Sequence, residues 1–229
     1  MSIHSDYAII ALLMATVATA KTRRPGRRTA SREARRRQLV DATMKCIARK
    51  GLGQTSIGDV AREAGLSQGI VNLHFESKDN LLTETLRTLA NEYREQFDKT
   101  LDKAGPRPAD ALQALMAMDL KPKLIDRRKL AIWFAFWGEV KSRPTYRKIC
   151  DEHDRYYDSV VEGLCAEIIE DGGYTNITPA AAAEALTCMS NGLWLSCLIS
   201  PKDFDRDVAW SAIMSYLANV FPKHYETTT

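Results

Sequence analysis

Apolar residues recur every three or four positions along most of this chain, which is the spacing of helices that bury one face. No segment shows the strict alternation of apolar and polar residues, bounded by turns, that indicates a half-buried strand. The pattern therefore predicts an all-α protein. In the N-terminal part we predict four helices. The first runs from a Ser31 N-cap to about Lys50, and the second from Thr55 or Ser56 to Gly65. The third covers Gln68–His74 after a Ser67 cap, and the fourth runs from Ser77 to about Lys103.

A break at 105–108, Gly-Pro-Arg-Pro, separates these helices from a longer helical body. Prolines at 108, 144 and 179 suit the first turn of a helix, whereas the Gly-Gly pair at 172–173 suits a helix end. Helices of the body are predicted at about 108–120, 126–141, 144–171, 178–199 and 204–221. We divide the chain into an extension at 1–30, a three-helix unit at 31–80 and a helical body at 81–229.

The extension contains a fourteen-residue apolar or small stretch, Tyr7 to Ala20, that ends in Ala-Thr-Ala. This ending resembles a signal-peptide cleavage site. However, no Lys or Arg precedes the stretch, and it is too short for a typical membrane-spanning helix. We expect a poorly ordered extension of a cytoplasmic protein with no membrane partner, and an exported helical binding protein is the alternative.

Charge is distributed unevenly along the chain. Its formal net charge is only +3, but residues 21–50 hold 12 Lys and Arg against Glu33 and Asp41. A basic N-terminal part on an acidic body favours a polyanionic partner at that end. A solvated basic tail is the competing interpretation for residues 21–30.

Motifs of common enzyme classes and metal sites are absent from the sequence. There is no GxSxG, phosphate-binding glycine loop, HExxH or paired-carboxylate helix motif. The five cysteines, at 46, 150, 165, 188 and 197, form no CxxC pair and have no nearby His at metal-ligand spacing. We expect reduced, mostly buried thiols, no metal, no cofactor and no catalytic residues. A helical enzyme is the alternative that these absences disfavour.

The segment 55–74 has the layout of a helix-turn-helix. Gly65 follows a short helix and permits the left-handed conformation that a tight turn needs. Such a unit places the N-terminal residues of its second helix against base edges in the major groove. A plain helical hairpin with polar outer residues is the alternative. The second helix has Gln68, Gly69 and Asn72 available for its outer face and Ile70, Val71 and Leu73 available for packing.

These residue types suit double-stranded DNA. Gln68 and Asn72 can give bidentate hydrogen bonds to adenine, and Gly69 permits close approach to the backbone or a thymine methyl. Hydroxyls near helix N-termini and basic side chains suit phosphates. The candidate phosphate and backbone contacts are Arg35, Thr55, Ser56, Ser67, His74 and Lys78.

The string from Gly65 to Leu82, GLSQGIVNLHFESKDNLL, resembles the signature of the TetR family of transcriptional regulators. The resemblance implies that Phe75 anchors the third helix and that Lys78 contacts phosphate. Asn72 departs from the tyrosine of many members. The segments LAIWFAFW, from Leu130, and NGLW, from Asn191, are similar to the BetI subfamily of choline-responsive repressors. The implied protein is a homodimeric repressor that binds a near-palindromic operator and regulates choline and glycine-betaine metabolism.

Aromatic residues of the body fall at helical spacing, and several carboxylates lie near them in sequence. Aromatic faces together with a carboxylate suit a cationic inducer, through cation–π attraction. Plain core packing, with His153 as a core histidine, and a pocket for an unrelated lipophilic molecule are the alternatives. The candidate ligand-binding residues are Trp133, Phe134, Trp137, Asp151, His153, Tyr156, Tyr157, Asn191 and Trp194.

The two predicted helices at 178–199 and 204–221 carry small and apolar residues suited to a four-helix interface between two copies. Burial within one copy is the competing interpretation. One copy would read only half of an operator, so a two-fold dimer and a near-palindromic site belong together. The body at 81–229 is thus expected to bind ligand and to dimerise.

Overall fold

The computed structural model describes residues 27–226, with side chains from Arg32 onward. The apolar stretch at 7–20 therefore lies outside the described residues. Every regular element in the described part is an α-helix, which confirms the predicted fold class. The helices are α1 (Arg27–Lys50), α2 (Ile57–Ala64), α3 (Gln68–Phe75), α4 (Lys78–Lys103), α5 (Pro108–Asp119), α6 (Arg127–Trp137), α7 (Pro144–Gly172), α8 (Pro179–Ile199) and α9 (Arg206–Val220).

Two predicted helix boundaries are wrong. Helix α1 begins at Arg27, so Ser31 lies inside the helix and is not its N-cap. Residues 27–30, Arg-Arg-Thr-Ala, contain no helix breaker, and the Pro-Gly pair comes just before them. Helix α6 ends at Trp137 and does not reach residue 141, because residues 138–142 form turns before the proline that opens α7.

From residue 38 onward the described chain forms one compact unit. Its N-terminal end has a small core to which α1, α2, α3 and α4 each contribute. Helix α2 is fixed at its start by a capping box, in which the Ser56 hydroxyl accepts from the Asp59 amide and the Asp59 carboxylate accepts from the Ser56 amide. The buried members of this core are Leu39, Val40, Ala42, Cys46, Val60, Ala61, Val71, Phe75 and Leu81.

The body is a bundle in which α4, α5, α7 and α8 pack on one another and α6 and α9 pack against α8. Helix α5 lies deep within it, with Leu112, Leu115 and Met116 fully buried. Between residues 27 and 226, no helix is both long and apolar enough to cross a bilayer. The predicted division at residue 80 stays a prediction.

Candidate nucleic-acid interface and ligand cavity

The turn between α2 and α3 is held rigidly. Gly65 adopts the left-handed conformation, with φ of 67°, and its amide donates to the carbonyls of the last turn of α2. The next amide, of Leu66, donates to the Ala61 carbonyl at 2.8 Å, and Gln38 Nε2 of α1 donates to the Ala64 carbonyl at 2.8 Å. These bonds satisfy the C-terminal carbonyls of α2 and set the angle at which α3 leaves.

Helix α3 buries one face and exposes the other. Val71 and Phe75 are buried in the small core, as predicted. Leu73 was predicted to be available for packing, and this is wrong, since 71% of its surface is exposed. At position six of an eight-residue helix it lies beside Asn72 on the outer face rather than beside Val71. The exposed set on this face is Ser67, Gln68, Gly69, Asn72 and Leu73.

The N-terminal end of α3 is open. Ser67 occupies the N-cap position, but its side chain makes no capping hydrogen bond. The Gln68 side chain lies over Gly58 of α2, where an added Cβ would come within 3.0 Å of Gln68 Nε2. Gly58 thus leaves room for the amide to rest at the junction of the two helices, a contact that sequence reasoning missed. The hydroxyl of Ser67 and the amide of Gln68 stand together at the start of α3.

Other candidate contacts have different surroundings. The Thr55 side chain is buried and its hydroxyl donates to the Gly51 carbonyl at 2.8 Å. The Thr55 hydroxyl is therefore already hydrogen-bonded within the protein, and its side chain is no longer a candidate phosphate contact. The Ser56 hydroxyl is exposed but serves the capping box. Arg35, His74 and Lys78 are each partly buried, and Lys78 is the first residue of α4.

A cavity of about 450 Å³ lies in the body between α4, α5, α6, α7 and α8. Aromatic rings and carboxylates form most of its wall. It brings together seven of the nine residues predicted from the sequence: Trp133, Trp137, Asp151, His153, Tyr157, Asn191 and Trp194. It adds residues that sequence reasoning missed: Tyr93, Asp119, Val140, Arg147, Cys150, Asp154, Asp158, Thr187 and Ser190.

The deepest polar group of the cavity is the Asp119 carboxyl, at the end of α5, with 1% of the residue exposed. Tyr93 Oη donates to Asp119 Oδ1 at 2.6 Å, and Tyr157 Oη donates to Oδ2 at 3.4 Å. Trp194 Nε1 donates to the Asp119 main-chain oxygen at 3.0 Å. Burial raises the pKa of the Asp119 carboxyl to about 6, although these hydrogen bonds oppose the shift. Near pH 7.5 it is a largely ionised carboxylate with no cation within salt-bridge distance among the described residues.

The Ser190 hydroxyl of α8 lies on the same wall. Ser190 is 5% exposed. It is near enough to Asp119 to lower that carboxyl's pKa, yet its oxygen makes no hydrogen bond of normal geometry with any described residue. Buried hydroxyls are normally hydrogen-bonded. A polar group of a ligand in the cavity would supply the missing partner.

Aromatic rings surround this carboxyl. The Tyr93 ring centroid lies 5.0 Å from that of His153 and 5.6 Å from that of Trp194, both in edge-on contact. Trp133 lies 5.5 Å from His153 and 6.0 Å from Trp137. Burial, assisted by the charge of Arg94, lowers the pKa of His153 to about 4, so the imidazole is neutral near pH 7 and does not repel a cation.

Three acidic residues of α7 line the cavity. Asp151, Asp154 and Asp158 follow one another at spacings of three and four residues, hence on one face. Loss of hydration, together with the charges of Asp158 and Asp151, raises the pKa of Asp154 above its usual range. Because Asp151 is exposed, water screens its charge better than that of Asp119. Arg147 supplies one opposing charge, and the lining as a whole favours a cation.

Two predicted ligand residues, Phe134 and Tyr156, lie outside the cavity lining. Tyr156 Oη donates to Asp98 Oδ1 at 2.8 Å, and the Arg94 guanidinium lies 3.8 Å from the centre of its ring. Phe134 packs edge-on against Trp137, with the ring centroids 5.0 Å apart. Tyr156 thus contacts α4 outside the cavity, whereas Phe134 packs against Trp137, a residue of the cavity wall.

The raised pKa of Asp119 predicts a specific effect of pH on stability. A carboxyl whose pKa rises on folding favours folding while protonated, and this contribution is lost as pH rises through about 6. Asp119→Asn removes the charge and can still accept from Tyr93 and donate to Tyr157. The unliganded variant should therefore gain stability over the native protein between pH 4 and pH 7, by up to about 3 kcal/mol.

Urea unfolding of both proteins at each pH measures this difference. Asp203→Asn, which changes an exposed carboxylate between α8 and α9, is the matched control and should show no such trend. If Asp119→Asn lowers the free energy of unfolding equally at pH 4 and pH 7, the buried charge of Asp119 does not affect stability.

Two protein-family models match separate parts of the chain. Residues 39–85 match the model described as bacterial regulatory proteins, tetR family. Residues 106–222 match the model described as BetI-type transcriptional repressor, C-terminal. The first match spans the helix-turn-helix and the start of α4, and the second spans α5 to α9, which include all the cavity-lining helices except α4.

Individual relatives agree with these matches. The HTH-type transcriptional regulator BetI of Paraburkholderia phymatum is 31% identical over 186 residues, which are 81% of this chain and 92% of that protein. A transcriptional regulator of Pseudomonas aeruginosa PAO1 has a similar structure, with a TM-score of 0.75 and 26% identity over 84% of this chain and 93% of that one.

A regulator from Saccharomonospora viridis, solved in complex with choline, shares the fold, with a TM-score of 0.71 and 21% identity over 81% of this chain and 96% of that one. One matched model covers the helix-turn-helix, and the other, over residues 106–222, covers more than half of the whole chain. The chain therefore belongs to the tetR family of bacterial regulatory proteins, with a BetI-type C-terminal domain, and is a transcriptional repressor of that type rather than an enzyme.

Proposed function

We propose that this repressor acts in the cytoplasm as a homodimer, binds a near-palindromic operator through α3, and releases it when a choline-like cation enters the cavity. The observation that carries the ligand assignment is the buried Asp119 carboxyl, enclosed by aromatic rings and without a cationic partner among the described residues. The choline and glycine-betaine link is supported by the name of the BetI relative and by the choline-bound structural neighbour.

The exposed face of α3 supports the operator contacts. Gln68 and Asn72 are one helical turn apart on that face and carry the amide groups that pair with the N6 and N7 edge of adenine. Ser67 at the N-cap and Lys78 at the start of α4 would bind phosphates on either side of the groove. Because such phosphate contacts release counterions, operator affinity should fall steeply with salt.

A homodimer is supported by an unpartnered face on α8 and α9. Leu195 and Ile199 of α8 and Val208 of α9 are exposed, and the last two expose 68% and 66% of their surface. Small residues, Ala181, Cys188 and Gly192, continue the same exposed stripe along α8. A surface of this kind allows two copies to pack α8 and α9 against each other around a two-fold axis. The two α3 helices would then address half-sites about one DNA turn apart.

The cavity favours a quaternary ammonium over a neutral or acidic lipophile. Tyr93, Trp133 and Trp194 present rings for cation–π contact, each worth about 0.5–2 kcal/mol depending on desolvation. The Asp119 charge adds a direct electrostatic partner, and the Ser190 hydroxyl can bond to the hydroxyl of choline. A neutral apolar ligand would leave the carboxylate buried without a counter-charge, which is costly. A fatty-acid carboxylate would be repelled.

Helix α7 offers a route from the cavity to the DNA-binding end. It lines the cavity with Asp151, His153 and Tyr157, and Arg143 immediately before it donates to Asp79 Oδ1 at 3.0 Å. Asp79 is in the first turn of α4, beside Lys78. Inducer would favour a position of α7 and α4 in which the two α3 helices no longer match the half-sites, and it shifts this equilibrium only by its differential affinity for the two states.

The operator proposal predicts the effect of changing α3. Gln68→Ala with Asn72→Ala should weaken specific DNA binding at least tenfold, since each bidentate contact to a base is worth about 1–3 kcal/mol. The measurement is a mobility shift on duplex selected from a random library or on DNA upstream of the gene. Asn91→Ala with Gln96→Ala makes the same changes on α4 and should bind like the native protein. Equal binding by both variants, or no shift at low salt, would contradict the proposal.

The dimer proposal predicts that charges on the apolar face separate the two copies. Ile199→Asp with Val208→Asp should convert the protein from a mass of two chains to one, as measured by light scattering after size exclusion. Leu73→Asp places the same charge on an equally exposed apolar residue of α3 and should leave the mass unchanged. If the native protein has the mass of one chain, the dimer is refuted. If the double variant remains a dimer, the interface does not lie on this face.

The inducer proposal predicts stabilisation by choline that depends on charge. Millimolar choline should raise the melting temperature by several degrees at pH 8 and by less at pH 5, where Asp119 is mostly protonated. The neutral analogue 3,3-dimethyl-1-butanol, which has a carbon in place of the nitrogen, is the matched ligand control. Asp119→Asn should remove the response to choline. Equal stabilisation by choline and its neutral analogue would show that the cavity recognises shape alone.

A further inference from the structure

The most exposed leucine of the described chain lies on the helix that meets DNA. Of the large apolar residues with high exposure, Leu195, Ile199 and Val208 belong to the face assigned to the dimer. Leu73 is the remaining one, with 71% of its surface exposed, and it lies on α3. A single exposed leucine is ordinary on a protein surface, so only its position on α3 indicates a function.

Leu73 lies on the outer face of α3, beside the residues proposed to contact bases. Leu73 is one helical turn after Gly69, and Asn72 is one turn after Gln68, so the four residues form a compact patch. Helical side chains lean toward the N-terminus, which places the Leu73 isobutyl group over the surface beside Gly69. A Cβ at Gly69 would meet only the Ser67 hydroxyl, at 3.8 Å, so nothing within the protein fills the space in front of it. The patch can approach a groove floor closely at this point.

The major groove offers one apolar group at its base edges, the C5-methyl of thymine. A leucine has no donor or acceptor for phosphate oxygens or for the polar base edges. Its neighbours Gln68 and Asn72 suit adenine, the partner of thymine, and so place the patch over A·T pairs. We propose that Leu73 is a specificity-determining residue that packs on a thymine methyl within each half-site. This inference rests on the operator binding proposed above and names the base feature that it reads.

Removal of a single methyl from the DNA tests the contact directly. Native protein selects sites from a random duplex library, and each thymine of the selected half-site is then replaced in turn by deoxyuridine, which lacks only the methyl group. At one thymine position, the replacement in one half-site should weaken native binding about fourfold, the value of one buried methyl-sized group. Replacement in both half-sites should weaken it about fifteenfold. Leu73→Ala should lose this sensitivity, since the side chain that met the methyl is gone.

Two further variants separate the contact from a general loss of affinity. Leu73→Met keeps an apolar side chain of similar size and should retain the response to deoxyuridine at the same position. Asn72→Ala should weaken binding yet also retain that response. Because Leu73 contacts no phosphate, Leu73→Ala should leave the dependence of affinity on salt unchanged. As an exposed change to a good helix former, it should also leave the unfolding transition intact.

The alternatives give distinct results. If the native protein is insensitive to every replacement, or if Leu73→Ala remains as sensitive as the native protein, the thymine contact is refuted. A different result is that Leu73→Ala loses the same affinity on thymine and on deoxyuridine duplexes while native protein shows no preference between them. That result would assign Leu73 to a sugar-backbone contact and would also refute the thymine contact. If the native protein selects no sequence at all, the operator proposal fails, and this inference fails with it.

Discussion

The position of one buried carboxyl organises the body of this protein. Asp119 ends α5, and three hydrogen bonds hold it, from Tyr93 of α4, Tyr157 of α7 and Trp194 of α8. Four helices thus converge on one acidic residue with 1% exposure. Burying a carboxyl in this way disfavours its charged form, which is why its pKa is raised to about 6. A core built for stability alone would place an apolar residue there, and the charge retained at this position suits the cationic ligand proposed above.

The same helices connect the cavity to the DNA-binding end. Helix α4 carries Tyr93 at the cavity and begins at Lys78, next to α3. Helix α7 carries Tyr157 and starts just after Arg143, which is paired with Asp79 of α4. In the proposed mechanism, a ligand that changes the packing around Asp119 would therefore act on α4 and α7, the two helices that connect the cavity to the helix-turn-helix. Lys129 of α6, paired with Glu92 of α4 at 2.6 Å, ties a third wall of the cavity to the same helix.

Local patterns in the sequence predicted the helices and the outer face of α3. Periodic apolar residues, the Gly65 turn and the prolines at helix starts are signals that act within a few residues, so they survive without knowledge of the fold. Leu73 is the informative failure. Its type suggested packing, but only the orientation of α3 on the small core decides which residues face outward. Thr55 failed for a related reason, because its hydroxyl folds back onto Gly51.

Local sequence patterns predicted only part of the cavity wall. The spacing of aromatic residues in α6 and α7 predicted that part, but nothing in the sequence pattern singled out Tyr93 or Asp119. A carboxyl between Met118 and Leu120 is a weak signal, since helix ends often carry exposed acids. The sequence by itself determined most of the helices and the helix-turn-helix, because these depend on neighbours along the chain. Only the tertiary structure decided that Asp119 is buried among rings from three other helices, because burial depends on residues distant in sequence.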